Sequence, residues 1–139
     1  MKYSVSKDFT FEAAHRLMKN YTGKCNNNHG HSWLIKLHIE ANNLDEKGMV
    51  IDFQEMKLLK TWIDENLDHT TILWEKDPMC DYIKSSNQRL FTTSGNPTSE
   101  TIGEIILEQA ILLFETSRIK VKCVEVCETC TSTAFVYPD

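Results

Sequence analysis

Residues 25–42 read CNNNHGHSWLIKLHIEAN. From His29 the odd positions are His29, His31, Trp33, Ile35, Leu37 and Ile39, while the even positions are mixed. Period-two alternation with one apolar side predicts a strand over 29–42, half buried against a core. Two histidines open its apolar side. Cys25 stands four residues before His29, outside the strand.

The preceding stretch reads as a partner for that strand. Its odd positions are Val5, Lys7, Phe9, Phe11, Ala13 and His15, and its even positions are Ser4, Ser6, Asp8, Thr10 and Glu12. This predicts a first strand over 5–15, joined to the second by the polar loop KNYTGKCNNN. Consecutive strands joined by a loop usually pair antiparallel. The end of the first therefore lies beside the start of the second, and His15, His29 and His31 converge at one end of the sheet. Gly30 removes a side chain from the opposite face there.

Three histidines with an open fourth position are the donor set of a catalytic zinc, as distinct from a closed structural one. Each histidine alone would read more simply as a core or loop residue; three in phase point to a metal. Spacing leaves Cys25 open between a fourth ligand and a thiol free for chemistry. A bound cation nearby would favour its thiolate.

Downstream, GMVIDF leads into a helix over 52–67, with Asp52 as N-cap and Glu55 at capping-box spacing. Phe53, Met56, Leu59, Ile63 and Leu67 form its apolar stripe. Residues 68–96 read as a long irregular connection with a short helix and a short strand at 89–92. Connections of this length often act as lids. NPTSE opens a second helix over 99–115, with Thr98 as N-cap and Ile102, Ile105, Ile106, Ala110 and Leu113 on one face. A strand over 119–128 changes phase, odd through Cys123 and even at Val124 and Val126, which predicts a bulge near Cys123. TAFVY makes the last strand. The order predicts an α+β fold: one antiparallel sheet with both helices on one face. The polar even face of the first strand is left for solvent or another subunit.

The 139 residues fit one domain, 1–139, with 41% hydrophobic and 25% charged residues. A net charge of -5 with no basic run argues against nucleic acid or an anionic membrane as partner. No apolar leader or spanning stretch is present, so a cytoplasmic location is expected. Five cysteines without framework spacing read as free thiols, ligands or a nucleophile.

Other polar groups stand out. Asp68 and His69 follow the first helix, where a histidine suits the dipole; alternatively they polarise Cys25. Adjacent residues of a regular helix face apart, so the second role needs irregular backbone. Cys127 and Cys130 form a lone C-x-x-C on extended backbone, which puts them on opposite faces, with Cys127 as a packing residue. Glu128 shares a side with Val124 and Val126. It is either an exposed strand end or a carboxylate placed to accept from a ligand's N–H groups. Glu100 suits the first turn of its helix, and the N–H groups there could also take a ligand.

FTFEAAHRL, C-x-x-x-HGH, GMVIDF, LDH, NPTSE and ETCT occur in this order. Together they resemble the 6-pyruvoyl-tetrahydropterin synthase / 6-carboxy-tetrahydropterin synthase family over nearly the whole chain. The resemblance implies the tunnelling fold, a four-stranded antiparallel sheet with two helices on one face, assembled as a homohexamer with active sites at subunit interfaces. It implies zinc on His15, His29 and His31, with Cys25 as proton acceptor and Asp68 and His69 as its relay partners. It further implies Glu128 as anchor of the pterin's amino-pyrimidinone edge and part of the relay, with Thr98, Ser99 and Glu100 also contacting the pterin.

The implied substrate is 7,8-dihydroneopterin triphosphate. The carboxy branch releases acetaldehyde and triphosphate and leaves 6-carboxy-tetrahydropterin for queuosine-type deazapurines. The pyruvoyl branch keeps the carbon chain. The short gap from Cys25 to HGH resembles the bacterial carboxy branch. A cysteine here also argues against members that carry Glu at this position and cut dihydroneopterin. The 70–96 segment resembles longer-loop members. Rival readings are a zinc-binding module with Cys25 as fourth ligand and a zinc hydrolase built on the same histidines.

Overall fold

The computed structural model describes all 139 residues. Strands β1 (Tyr3–His15) and β2 (His29–Ala41) pair antiparallel along their full length, with Ala13 opposite His31 and His15 opposite His29. Helix α1 (Phe53–Asn66) follows, then β3 (Thr70–Trp74), α2 (Met79–Ser85), β4 (Leu90–Thr93), α3 (Ser99–Phe114), β5 (Ile119–Thr129) and β6 (Ser132–Val136). The strands form one sheet in the order β4-β3-β1-β2-β5-β6.

The alternation read in the sequence is the alternation of burial. Phe9, Phe11, Trp33, Ile35, Leu37 and Ile39 face the core, and the even residues of β1 through Glu12 are exposed. Met56, Leu59 and Ile63 of α1 and Ile102, Ile106 and Ala110 of α3 cover that apolar face. In β5 the register slips opposite His38 and Ile39, so that Lys122 is the extra residue and both Cys123 and Val124 are buried. This is the expected bulge.

The sheet has six strands and is mixed, where four antiparallel strands were expected. β3 runs parallel to β1 through Ala13–His15, and β4 runs parallel to β3. Residues 70–93 therefore form a small β-α-β unit in place of an irregular connection. Its strands are five and four residues long, too short for a clear period. The short helix expected here is α2, and the short strand expected at 89–92 is β4, one residue later. Ile72 joins the main core while Leu73 packs with Cys80 and Ile83 of α2. Successive residues of a strand point to opposite faces, so α2 covers the face away from α1 and α3.

Helix ends follow the sequence with small differences. Asp52 accepts from the Gln54 N–H at 2.9 Å, and Thr98 accepts from the Thr101 N–H at 3.2 Å. The Glu55 side chain accepts no bond from the Asp52 N–H, so the first cap is single. Phe53 stays half exposed because α1 buries Met56, Leu59 and Ile63 instead.

Candidate functional site: a three-histidine centre

β1 and β2 deliver His15, His29 and His31 to one point. Their ring centroids lie 4.6, 5.1 and 4.9 Å apart, a nearly equilateral triangle. Trp33 forms the floor, edge-on to His15 at 5.0 Å and to His31 at 5.4 Å. Its own N–H donates to the Ala13 carbonyl at 3.1 Å, and its ring stacks on Phe11. This floor is fully buried, so the rings above it have little freedom.

Two rings are oriented from behind. His15 Nδ1 donates to the Pro97 carbonyl and His29 Nδ1 to the Asn27 carbonyl, both at 2.7 Å. A carbonyl only accepts, so in the neutral ring Nδ1 carries the proton and Nε2 keeps its lone pair. Burial lowers the His15 pKa and favours the neutral ring, against the opposing pull of the Pro97 carbonyl. The three Nε2 atoms are buried without a hydrogen-bond partner. The candidate ligand atoms of the three rings lie within 4.8 Å of one another. Unpartnered buried acceptors are costly, and three that converge fit a divalent cation of the zinc type.

Two of the three asparagines of CNNN are structural. Asn26 donates to the Tyr21 carbonyl and Asn27 to the Lys24 carbonyl, each at 3.0 Å, and they close a 3-10 turn over Lys24–Asn26. Cys25 sits in that turn, half buried, with its carbonyl accepting from the Leu17 N–H at 2.8 Å. The neighbouring Cys25 thiol pushes the Tyr21 hydroxyl above the usual tyrosine range.

Asp68 and His69 lie in the irregular backbone that a joint role requires. His69 has φ +57°, and its Nδ1 meets Asp68 Oδ2 at 2.8 Å. Glu12 clamps the pair: its N–H donates to Asp68 Oδ1 at 2.9 Å, and its carbonyl accepts from the His69 N–H at 2.6 Å. Burial would raise the Asp68 carboxyl, but the Glu12 N–H and His69 outweigh it and hold it below the usual range. The His69 side chain is largely exposed beside a cavity of about 390 Å³ bordered by Glu12, Gly30 and Ser32. No hydrogen bond joins His69 to Cys25 within the chain.

Thr98, Ser99, Glu100 and Glu128 line one cavity of about 330 Å³. Glu128 Oε1 accepts from the Ser99 hydroxyl at 2.7 Å, and Oε2 stands 3.3 Å from His31 Nε2. The carboxylate thus borders both this cavity and the histidine cluster. Cys127 and Cys130, expected on opposite faces, both border a further cavity with His31 and Glu128. The β5–β6 ladder slips between Val126 and Thr129, which breaks the alternation. Cys127 bonds the Thr133 hydroxyl instead of packing in the core.

The orienting carbonyls of Pro97 and Asn27 and the clamp from Glu12 were not legible in the sequence. Backbone groups leave no mark on residue type. The only trace is the Asn-Pro dipeptide before α3, which marks a turn without showing what its carbonyl does.

Three imidazoles meeting above a rigid aromatic floor, with one acid beside them, define a metal-type donor centre on an α+β sheet. The chain belongs to the 6-pyruvoyl tetrahydropterin synthase family, whose model matches residues 4–139. It is 38% identical over 124 residues to a 6-carboxy-5,6,7,8-tetrahydropterin synthase of Rickettsia bellii, covering 86% of this chain and 88% of that one. It is 33% identical over 160 residues to a protein of the same name from Aquifex aeolicus, covering 96% and 97%. Among solved structures, an uncharacterized protein of Wolinella succinogenes superposes with a TM-score of 0.86 at 26% identity, over 100% of this chain and 99% of that one. The 6-pyruvoyl tetrahydropterin synthase of Plasmodium vivax shares the fold, with a TM-score of 0.78 at 20% identity over the same shares.

Proposed function

We propose that this chain, one catalytic domain over 1–139, is a zinc-dependent 6-carboxy-tetrahydropterin synthase. It converts 7,8-dihydroneopterin triphosphate to 6-carboxy-5,6,7,8-tetrahydropterin with release of acetaldehyde and triphosphate, in the supply of queuosine-type deazapurines. The observation that carries the reading is the convergence of three buried Nε2 atoms that make no hydrogen bond, with Glu128 3.3 Å from that of His31. The relatives named 6-carboxy-5,6,7,8-tetrahydropterin synthase favour the carboxy product over the pyruvoyl one.

His15, His29 and His31 would hold the zinc, which supplies Lewis-acid polarisation of substrate oxygens when bound. Glu128, held by Ser99, accepts the N–H groups of the amino-pyrimidinone edge as a bidentate carboxylate. Thr98, Ser99 and Glu100 form the wall of the same cavity. Cys25 takes and returns protons on the substrate's side-chain carbons, and the Asp68–His69 pair relays them. Asp68, hydrogen-bonded to Nδ1, holds the His69 ring in place.

No hydrogen bond joins Cys25 to His69 inside one chain, which supports a relay completed between copies. The outer edge of β1 supports the same reading, because β3 pairs only with Ala13–His15 and the edge from Tyr3 to Phe11 has no strand beside it. A homohexamer of the tunnelling type would cover that edge and the polar face. Five free thiols suit a reducing cytoplasm, and no helix is long and apolar enough to cross a membrane.

Incubation of the zinc-loaded protein with 7,8-dihydroneopterin triphosphate tests the proposal by mass analysis of products. Acetaldehyde and a 6-carboxy pterin are expected. A pterin that keeps its three-carbon side chain would assign the pyruvoyl reaction instead, and an inert substrate would favour a hydrolase or a binding module.

A further inference from the structure

Arg16 follows His15 in the chain, and its guanidinium forks onto Asp77. Nε reaches Oδ2 at 2.7 Å, and Nη2 reaches Oδ1. The Asp77 side chain is fully buried. It also accepts from the Met79 N–H at 2.8 Å, at the start of α2. A buried carboxylate is tolerated only when it is paired and hydrogen-bonded. Both conditions are met here by one guanidinium and one backbone N–H.

The same segment grips the chain leaving β1 twice more. Asn96 Oδ1 accepts from the N–H groups of Met18 and Lys19 at 3.1 and 2.9 Å, and its Nδ2 donates to the Lys19 carbonyl at 2.7 Å. Pro97, the next residue, supplies the carbonyl that orients His15. Residues 77–97 thus hold residues 15–19 at three points. His29 differs, because its orienting carbonyl comes from Asn27, two residues away in its own loop. Only His15 takes its orientation from a segment 82 residues distant.

We propose that Arg16 and Asp77 are positioning residues of the metal centre: their buried ion pair fixes the β3–β4 excursion on the chain leaving β1 and so holds the Pro97 carbonyl against His15. The inference rests on the zinc reading above. The carbonyl sets the tautomer and tilt of the ring, and loss of such an outer partner lowers metal affinity about 10- to 100-fold. The excursion thereby becomes part of the metal site without supplying a ligand to it.

Chelator competition gives the zinc dissociation constant of the wild-type chain, Asp77→Asn, Arg16→Met and the double variant. The double variant leaves no unpaired buried charge, so it separates lost positioning from a simple electrostatic penalty. Arg118→Met serves as control. Arg118 donates to the Asn43 and Val50 carbonyls at the far end of β2, so its loss lowers thermal stability away from the histidines. Nitrogen-15 histidine spectra of the zinc-free proteins follow the Nδ1–H of His15 and of His29.

Zinc should bind about 10- to 100-fold more weakly in all three Arg16/Asp77 variants and normally in the control. The His15 Nδ1–H should exchange faster while that of His29 is unchanged. A double variant with wild-type affinity and an unchanged His15 signal would overturn the inference and leave the zinc reading intact. A wild-type chain that binds no zinc would overturn both.

Discussion

Ser99 donates its hydroxyl to Glu128 across 2.7 Å, tying the first turn of α3 to the end of β5. This bond spans the cavity that Thr98 and Glu100 also line, and it leaves Glu128 Oε2 beside His31. The anchoring role proposed for Glu128 needs a carboxylate held in one orientation, and this bond restrains it. A hydrogen bond to a charged group is worth roughly 1.5–3 kcal/mol. Glu128→Gln should therefore lower kcat/KM by about 10- to 150-fold, mainly through KM, at unchanged zinc content. Loss of zinc in that variant would make Glu128 a ligand and remove it as the anchor.

The Asp77 ion pair sets an acid limb. The Arg16 guanidinium holds the Asp77 carboxyl below its usual range, against burial. A lowered folded-state pKa contributes stability that is fully present above the unfolded value, about 3.9. That contribution fades as pH falls through the lower folded value. Urea unfolding should show wild type ahead of Asp77→Asn by roughly 3 kcal/mol between pH 5 and 7, since removing one partner strands the other charge. The gap should shrink below about pH 4. A gap that stays constant to pH 2 would refute the linkage.

Gly103 lets α3 lie close on the sheet. A Cβ there would stand 2.7 Å from Val136 Cγ2 and 3.0 Å from Val126 Cγ2. Gly103→Ala should cost about 1–3 kcal/mol from overpacking, partly offset by roughly 1 kcal/mol of helix propensity. Adding Val136→Ala should recover part of the loss. Chemical denaturation of the two variants checks both signs, and a Gly103→Ala chain as stable as wild type would show that β6 gives way.

Much of the site was legible because strand phase is a strong constraint. His15, His29 and His31 fall on the odd, apolar sides of two strands, and a one-residue slip would have put them on the open face. The Cys123 bulge was visible for the same reason. The short helix and the short strand at 89–92 were legible and are α2 and β4; β3 was not, because TTILW is too short to show a period, and the parallel pairing of β3 and β4 depends on distant partners. The C-x-x-C pair was misplaced because a slip in the β5–β6 ladder overrides alternation. The partners that orient His15 and His29 are backbone carbonyls, so no side-chain pattern could mark them.

The division of labour within CNNNHGH is the centre of this account: histidines hold the metal, and Cys25 moves protons. Zinc content and turnover of Cys25→Ala and His31→Ala, measured side by side, test it most directly. Cys25→Ala should retain zinc at the wild-type ratio and lose turnover, while His31→Ala should lose both. A Cys25→Ala protein that loses its zinc would make Cys25 the fourth ligand and contradict the account.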